Sequence, residues 1–284
     1  MAFGDRRDGK KVRNLDGMHG LMPKVKSKRC ESIVYINQKF DVTNLVKYVE
    51  NYNEKSEDKL TYFHAFSMAL GKVVYNRPLL NRFIINGNYY DRNEVKMSFV
   101  AKTKFEDHAE EFFSVFDISE LDNIEDIKNK ITSKVNKVRS NTRNDADDLV
   151  NTIGKLPKPL KTIAWWVIKF MDNHDLLPKS AVEDNIYYST ILLSNLGSLD
   201  CGAIYHSLTE FGTNSIVVTI GKIHKEYIVL ENGKQELRDI VEFGINLDER
   251  IADGFYFIKA IKILQQIFDN PELLEGKANE KIEK

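Results

Sequence analysis

The sequence has little that would mark a secreted, metal-stabilised or membrane-spanning protein. Only two cysteines, Cys30 and Cys201, occur among 284 residues, and they lie far apart. This excludes a disulfide-rich scaffold and a cysteine-ligated structural zinc site, and it favours a reducing cytoplasmic setting. No uninterrupted apolar run approaches the roughly 18 residues of a membrane span. The first residues carry charge but no apolar core, which is atypical of a secretory signal.

The chain also lacks a strong net charge. Its formal charge is −1, so no overall field would attract nucleic acid or an anionic membrane. Residues 1–29 are nevertheless basic, and we expect them to form a solvated arm. Hydrophobic residues at 42% and charged residues at 29% are ordinary for a globular protein, and the length permits a large core. We therefore predict one α/β domain over residues 30–284.

Strand and helix patterns alternate in the first half of this domain. A strand is predicted from Ile33 to Phe40, followed by one helix with an apolar stripe at residues 45–49 and another from Leu60 to Tyr75. Further predictions are strands at 82–90, 95–102 and 112–116, with a turn at Asn86-Gly87, then a charged helix at 124–138 and a polar linker at 140–150.

An unusual apolar segment follows the linker. Residues 155–171 contain Pro157 and Pro159 and then TIAWWVIKFM, which as a helix would be apolar around most of its circumference. We expect this helix to be buried against the body or a neighbouring subunit. The alternatives are a lid over a substrate channel or an interfacial helix that touches a membrane through residues 160–171, with Lys155, Lys158, Lys161 and Lys169 at the lipid surface.

The final third reads as strands of one sheet followed by a helix. Strands are predicted at 187–193, 215–221, 227–230, 235–237 and 240–246, with a turn at Asn232-Gly233, and a last helix ends before Pro271. Between the last strand and this helix lies the polar turn LDERIADG, residues 247–254. Such turns often hold catalytic groups, because the elements on either side form a rigid frame. Taken alone, Asp253 is explained equally well as a helix cap.

The residues around this turn resemble a known family. The turn is similar to the His-x-x-x-Asp-Gly signature of chloramphenicol acetyltransferases and of the acyltransferase cores of 2-oxo acid dehydrogenase complexes, with Glu249 at the histidine position. Upstream, Leu193-Ser194-Asn195-Leu196-Gly197 resembles the family's Ile-Ser-Asn-Leu-Gly strand end, and residues 216–222 resemble the strand that follows. The resemblance extends over residues 30–275, but the apolar insertion at about 155–185 has no counterpart.

This resemblance implies a fold, a reaction and an assembly. The fold would be the two-layer chloramphenicol acetyltransferase-like α/β fold, a mixed β-sheet flanked by helices. The reaction would transfer an acyl group from a coenzyme A thioester, as co-substrate, to a hydroxyl or thiol of a small-molecule acceptor. The active site would lie between subunits of a homotrimer. No lipoyl domain is recognisable in the chain, and no nucleic-acid partner is expected.

The resemblance also assigns roles to individual residues. Ser194 matches the hydroxyl that donates a hydrogen bond to the oxyanion of the tetrahedral intermediate. Asp253 matches an aspartate that braces the site by pairing with an arginine, for which Arg29 is one candidate. Glu249 occupies the position of the general base. A glutamate with its ordinary pKa near about 4.3 is a poor base unless burial raises that value, so Glu249 has a second reading as an ion-pair partner without chemistry.

His206 and Glu210 offer a substitute for the missing histidine. Both lie between the Ser194 strand and the next strand, so they are placed to face the same channel. His206 is the better candidate base, although a single histidine in a strand connection is often structural. The other histidines, His19, His64, His108, His174 and His224, have no motif around them. A catalytically inactive acyltransferase-fold scaffold or ligand-binding protein is therefore the alternative to an enzyme.

Overall fold

A computed structural model of the protein describes residues 4–102, 111–139 and 153–283. The strands are β1 Gly9–Lys11, β2 Ile33–Asp41, β3 Arg82–Ile85, β4 Asn88–Arg92, β5 Val95–Lys102, β6 Glu111–Ile118, β7 Ile191–Asn195, β8 Ile216–Ile220, β9 His224–Val229 and β10 Gln235–Asp248. The helices are α1 Gly17–Val25, α2 Thr43–Lys55, α3 Tyr62–Asn76, α4 Ile124–Arg139, α5 Lys158–Asn173, α6 Lys179–Glu183 and α7 Gly254–Asp269.

Seven of these strands form one mixed sheet in the order β2-β10-β8-β7-β5-β6, with β9 paired to the first part of β10. β7 runs parallel to β5 and β8, and the other pairs are antiparallel. A separate small sheet has the order β1-β4-β3. The predicted α/β architecture, a mixed sheet flanked by helices, is confirmed.

One face of the large sheet is covered by helices. The alternation of β10 directs Phe243 and its second neighbours toward α2, α3 and α7, because successive side chains of a strand point to opposite faces. Phe243 contacts Phe66 of α3 and Phe268 of α7 edge to face, with ring centroids 5.2 and 6.1 Å apart. This packing fixes where β10 ends and where α7 begins, and so holds the turn between them.

On the opposite face of the sheet, here called the outer face, the end of β10 carries polar and small residues. Gly244, Asn246 and Asp248 of β10 lie on it, as does Ser194 of β7, whose strand neighbour Leu193 points into the core. Instead of a helix, a length of coil crosses this face: residues 201–210, here called the crossing segment. The side chains that the family resemblance singled out therefore lie on or beside the face without helices.

Most predicted elements of the domain are present. The strand predicted at 187–193 is corrected to Ile191–Asn195, because a short 3-10 helix, Ile186–Tyr188, comes first. The linker at 140–150 and His108 lie outside the described residues.

The N-terminal arm differs from expectation. Its first part is packed rather than solvated: β1 pairs with β4, and Arg6 is buried. Helix α1, in contrast, leaves Met18, Leu21 and Val25 exposed, as a solvated arm would. Arg6 binds Asp8 and donates a 2.6 Å hydrogen bond to the carbonyl of Asp172. The distant partner explains why local composition mispredicted a solvated arm.

The apolar helix α5 is also a correction. The body leaves its outward residues exposed, so the expected burial of this stripe against the body is wrong. Only its other side is fastened, through buried Asp172 and through Trp165, whose ring lies 5.1 Å from that of Phe211. Among the described helices, none is both long and apolar enough to cross a membrane.

Candidate functional site

The turn after β10 is built on a buried ion pair. Asp248 is fully buried, and its two carboxylate oxygens accept hydrogen bonds of 2.8 and 2.7 Å from Nε and Nη2 of Arg250. A second guanidinium, Arg29, lies 3.9 Å away from the same carboxylate. Removing either charge of such a buried pair is strongly destabilising, because the other charge is then left buried without a compensating partner. The turn is consequently rigid.

The two arginines respond differently to this burial. Burial lowers the pKa of Arg250, but its hydrogen bonds and attraction to Asp248 outweigh that effect, so the pKa is raised above its ordinary value. Burial lowers the pKa of Arg29, and its more distant contact with Asp248 does not restore it. Arg29 still donates to the carbonyls of Ile84 and Gly212 at 3.1 Å. Arg29 thus ties the turn to two other parts of the chain.

Glu249 lies on the exposed side of this turn. Its backbone N–H donates to the carbonyl of Ser32 at 2.9 Å, and its side chain is 31% exposed and forms an ion pair with Lys26. The backbone of Lys26 is itself held in place, because its carbonyl accepts a 2.9 Å hydrogen bond from Arg250. From the sequence, Glu249 could pair with Arg250 or with another cation. In the structure its ion-pair partner is Lys26.

Asp253 serves as the N-cap of α7. Its Oδ1 accepts a 2.7 Å hydrogen bond from the backbone N–H of Tyr256, as a capping carboxylate does. It is exposed, and Arg29 pairs with Asp248 instead. The Asp253–Arg29 ion pair that the family resemblance suggested is therefore absent. The ion pair that stabilises this turn is Asp248 with Arg250.

Ser194 lies at the end of β7, partly buried on the outer face. It is in register with Thr219 of β8, which is in register with Gly244 of β10. Asp248 lies four residues beyond Gly244 on β10, or about 14 Å along the strand at the usual rise. Within one chain, Ser194 and Glu249 are thus near opposite ends of the sheet and do not meet.

The crossing segment spans the distance between these two ends. Near the Ser194 end, the N–H of Ile204 donates to Oγ1 of Thr219 at 3.2 Å. Near the Glu249 end, the carbonyl of Thr209 accepts a 2.5 Å hydrogen bond from Arg29. His206 lies between these anchors and is exposed to solvent. The structure therefore places His206 on the outer face, between the two halves of the candidate site.

Two glycines permit the crossing segment to lie directly on the sheet. A Cβ at Gly221 would come within 2.7 Å of the backbone nitrogen of Ala203, closer than real Cβ atoms approach backbone. A Cβ at Gly244 would likewise overlap the carbonyl oxygen of Ile204.

Glu210 is the other residue that the sequence offered as a substitute for the histidine. Its side chain has a structural role, because it accepts a 2.8 Å hydrogen bond from the backbone N–H of Cys30.

Asn246 is a site feature that the sequence analysis missed. It is fully buried on the outer face, and neither its amide nitrogen nor its carbonyl oxygen has a hydrogen-bond partner among the described residues. Its position, two residues before Asp248 in an alternating strand, was the signal that it faces the same side. Lys26 was also missed, because nothing local relates it to a glutamate 223 residues later.

Comparisons with known proteins agree on the fold. No protein family profile and no curated protein matches the sequence. Among solved structures, the chain is similar to the cubic core of the pyruvate dehydrogenase multienzyme complex, with 12% identity, 93% of this chain and 94% of the other covered, and a TM-score of 0.62.

Two further structures support the same conclusion. One is dihydrolipoamide acetyltransferase of Azotobacter vinelandii, studied for the catalytic roles of a serine, a histidine and an asparagine; it shares 13% identity over 93% of this chain and 99% of that one, with a TM-score of 0.60. A chloramphenicol acetyltransferase has 12% identity over 92% and 99%, with a TM-score of 0.54. The chain therefore has the fold shared by chloramphenicol acetyltransferase and the catalytic domain of dihydrolipoamide acyltransferases.

Proposed function

We propose that the protein is a coenzyme A-dependent acyltransferase whose active site forms between subunits of a homotrimer, with Ser194 from one chain and Glu249 from the next. The observation that carries this proposal is the shared fold, extending over more than nine-tenths of the chain, with Ser194 at a strand end on the outer face. The separation of Ser194 from Glu249 within one chain favours a site completed by a second copy.

The chemistry would follow from the placed groups. A hydroxyl or thiol of the acceptor attacks the thioester carbonyl carbon, forming a new bond to carbon and a tetrahedral oxyanion. The Ser194 hydroxyl donates a hydrogen bond to that oxyanion, a contribution worth about 3 kcal/mol in comparable sites. Collapse of the intermediate breaks the carbon–sulfur bond, and the coenzyme A thiolate receives the proton that the base had taken.

Two side chains are candidates for the base. To act as the base, Glu249 would have to give up its ion pair with Lys26 when it takes the acceptor's proton. The ion pair stabilises the charged carboxylate and therefore disfavours this proton transfer. His206 is exposed on the crossing segment and carries an imidazole suited to proton transfer near neutral pH. Loss of activity in Glu249→Gln with retention in His206→Asn would assign the base to Glu249, and the reverse pattern would assign it to His206.

A subunit-mixing experiment tests the shared site directly. Ser194→Ala and Glu249→Gln chains are purified separately, then co-refolded in equal amounts and assayed with acetyl-coenzyme A and thiol or alcohol acceptors. If a site combines Ser194 and Glu249 from different chains, about one quarter of the interfaces in random trimers carry both native residues. Activity absent from each variant would then return. Co-refolded wild-type chains provide the reference rate.

Two results would contradict the proposal at different points. If neither coenzyme A nor any acyl-coenzyme A raises the melting temperature and no transfer is measured for the wild type, the enzymatic function is wrong. If the wild type is active but the mixture of the two variants stays inactive, the function survives and the shared site is wrong.

The Glu249–Lys26 ion pair favours a second candidate function, an inactive acyltransferase-fold scaffold that binds a ligand. In that case the glutamate is a structural partner for Lys26 and no base is present. Glu249→His tests this idea. Activity created in a previously silent protein supports the scaffold, whereas loss of a native activity shows that Glu249 takes part in catalysis.

A further inference from the structure

Helix α5 presents an apolar face that the described part of the body leaves largely exposed. Leu160, Ile163, Trp166, Val167 and Phe170 recur at three- and four-residue spacing, and each is between 42% and 69% exposed. Residues at this spacing form one continuous stripe along a helix. The rings of Trp166 and Phe170 stack with centroids 6.1 Å apart, so the stripe is one aromatic and aliphatic surface.

The exposed stripe is separate from the contacts that hold α5 to the body. The other side of the helix supplies partly buried Ala164, Ile168 and Met171, together with buried Asp172. Asp172 accepts from the N–H of Gly212 at 3.4 Å through its side chain and from Arg6 through its carbonyl. The helix is therefore fastened without using its most apolar face, and that face is available to another partner.

The charges of this part of the chain are of one sign. Residues 153–171 contain four lysines and no carboxylate, in a chain whose formal charge is −1. In the described part of the chain, no salt bridge involves Lys155, Lys158, Lys161 or Lys169. Helical spacing places Lys158 and Lys169 on the flank next to Trp166, so cationic groups border the apolar stripe.

We propose that α5 is a docking surface for an anionic lipid membrane, on which it lies in the plane of the headgroups. An apolar face with tryptophan and phenylalanine, bordered by lysines, has the composition of an interfacial helix. The unpaired lysines complement anionic headgroups, and each contributes about fivefold to binding near such a surface. Sixteen residues span only about 24 Å as a helix, so α5 docks on the bilayer and does not cross it.

The same charges disfavour α5 of a second copy as the occupant. Packing two such stripes around a two-fold axis would bring lysine flanks of like charge together, which is repulsive at low ionic strength. An anionic surface has the opposite sign along the whole helix. The lipid surface is therefore the partner whose charge and polarity both match.

Tryptophan fluorescence gives a direct test, because Trp165 and Trp166 are the only tryptophans in the chain and both lie in α5. The full-length protein is mixed with phosphatidylcholine vesicles that either contain or lack phosphatidylglycerol. We expect a blue shift of the emission and co-sedimentation with the anionic vesicles only, both weakened by salt. Replacing Lys158, Lys161 and Lys169 by Gln should weaken the apparent partition by about a hundredfold.

Matched variants separate docking from misfolding. Trp166→Glu with Phe170→Glu should abolish vesicle binding while the circular dichroism spectrum stays unchanged. Leu121→Glu alters a residue that is 65% exposed in another part of the surface, and it should bind like the wild type. The triple lysine variant keeps every apolar contact, so its loss of binding cannot come from a disturbed core.

Two outcomes would overturn the proposal. One is the absence of both a spectral shift and co-sedimentation with phosphatidylglycerol vesicles. The other is a blue-shifted emission in the absence of lipid that Trp166→Glu abolishes, with a simultaneous drop in the oligomeric mass. This result would assign the stripe to a contact between copies of the chain. Neither result bears on acyl transfer, which is measured separately.

Discussion

At the scale of single residues, Asp248 determines the geometry of the candidate site more than the half-buried Glu249 beside it. It holds the Arg250 guanidinium through two hydrogen bonds, and Arg250 in turn holds the backbone of Lys26, the partner of Glu249. One buried carboxylate thus positions both members of the half-buried Lys26–Glu249 ion pair. Residues that touch no substrate can set the position of those that do.

Substituting Asp248 tests this dependence. We expect Asp248→Asn to lower the free energy of unfolding by about 3–5 kcal/mol, because it leaves Arg250 buried without a compensating charge. Urea denaturation at neutral pH measures the change. Asp253→Asn is the matched control: asparagine caps a helix as well as aspartate does, so its effect should stay within about 0.5 kcal/mol. Equal effects of the two variants would contradict the structural role of Asp248.

At the scale of elements, the start of α3 contains a pH-sensitive cap. Thr61 and His64 form reciprocal hydrogen bonds, each of 3.2 Å, in which Nδ1 of His64 accepts from the N–H of Thr61. Burial lowers the pKa of His64 to about 4, and the positive charge of Lys128 acts in the same direction. The native cap therefore requires the neutral imidazole.

The sign of the resulting pH dependence follows from linkage. Between pH 6.5 and about 4 the unfolded state binds a proton that the folded state does not, so stability falls as the pH is lowered through this window. The loss attributable to His64 is at most about 3 kcal/mol, and it is absent above pH 6.5. Chemical denaturation at several pH values measures it. His64→Gln can keep the capping geometry without titrating, and an unchanged pH slope in that variant would contradict this origin.

The sequence predicted elements whose determinants are local and missed relations between distant residues. The hairpin at Asn86-Gly87 was predictable because asparagine and glycine favour the positive φ angles that a two-residue hairpin turn requires. In the structure these angles are 48° and 70°. The passage from β10 to α7 was predictable because alternating apolar and polar residues are followed by Asp253, a residue type that caps helices. The packing of the arm was not, because Arg6 finds its partner at Asp172. The exposure of α5 was not predictable either, since an apolar stripe does not reveal whether the body covers it.

At the scale of the whole molecule, we expect a solution mass three times that of the chain. The outer face carries exposed aromatic and aliphatic side chains, among them Tyr35 and Tyr205, whose rings meet at 5.4 Å, and the two halves of the site lie apart in one chain. Sedimentation equilibrium over a range of concentrations measures the mass. A monomer at every concentration would contradict both the trimer and the shared site.

The sequence identified both halves of the candidate site but not their arrangement. Ser194 and the 247–254 turn were found through residue patterns that resemble a family. Their separation along β8 and β10 depends on strand register, which no local pattern encodes. The roles of Ser194, Glu249, Asp253 and His206 remain predictions for the experiments above.

The length of β10 has a dynamic consequence for that turn. This strand pairs with β2 from Ile240 to Asp248 and with β8 from Phe243 to Leu247, so its last residues are hydrogen-bonded on both edges. Local fluctuations cannot expose those amides unless two neighbouring strands separate, which places them in the slowest class of hydrogen exchange. Because its backbone is anchored to this block, the Glu249 carboxylate can reorient through side-chain rotation while the chain beneath it stays still.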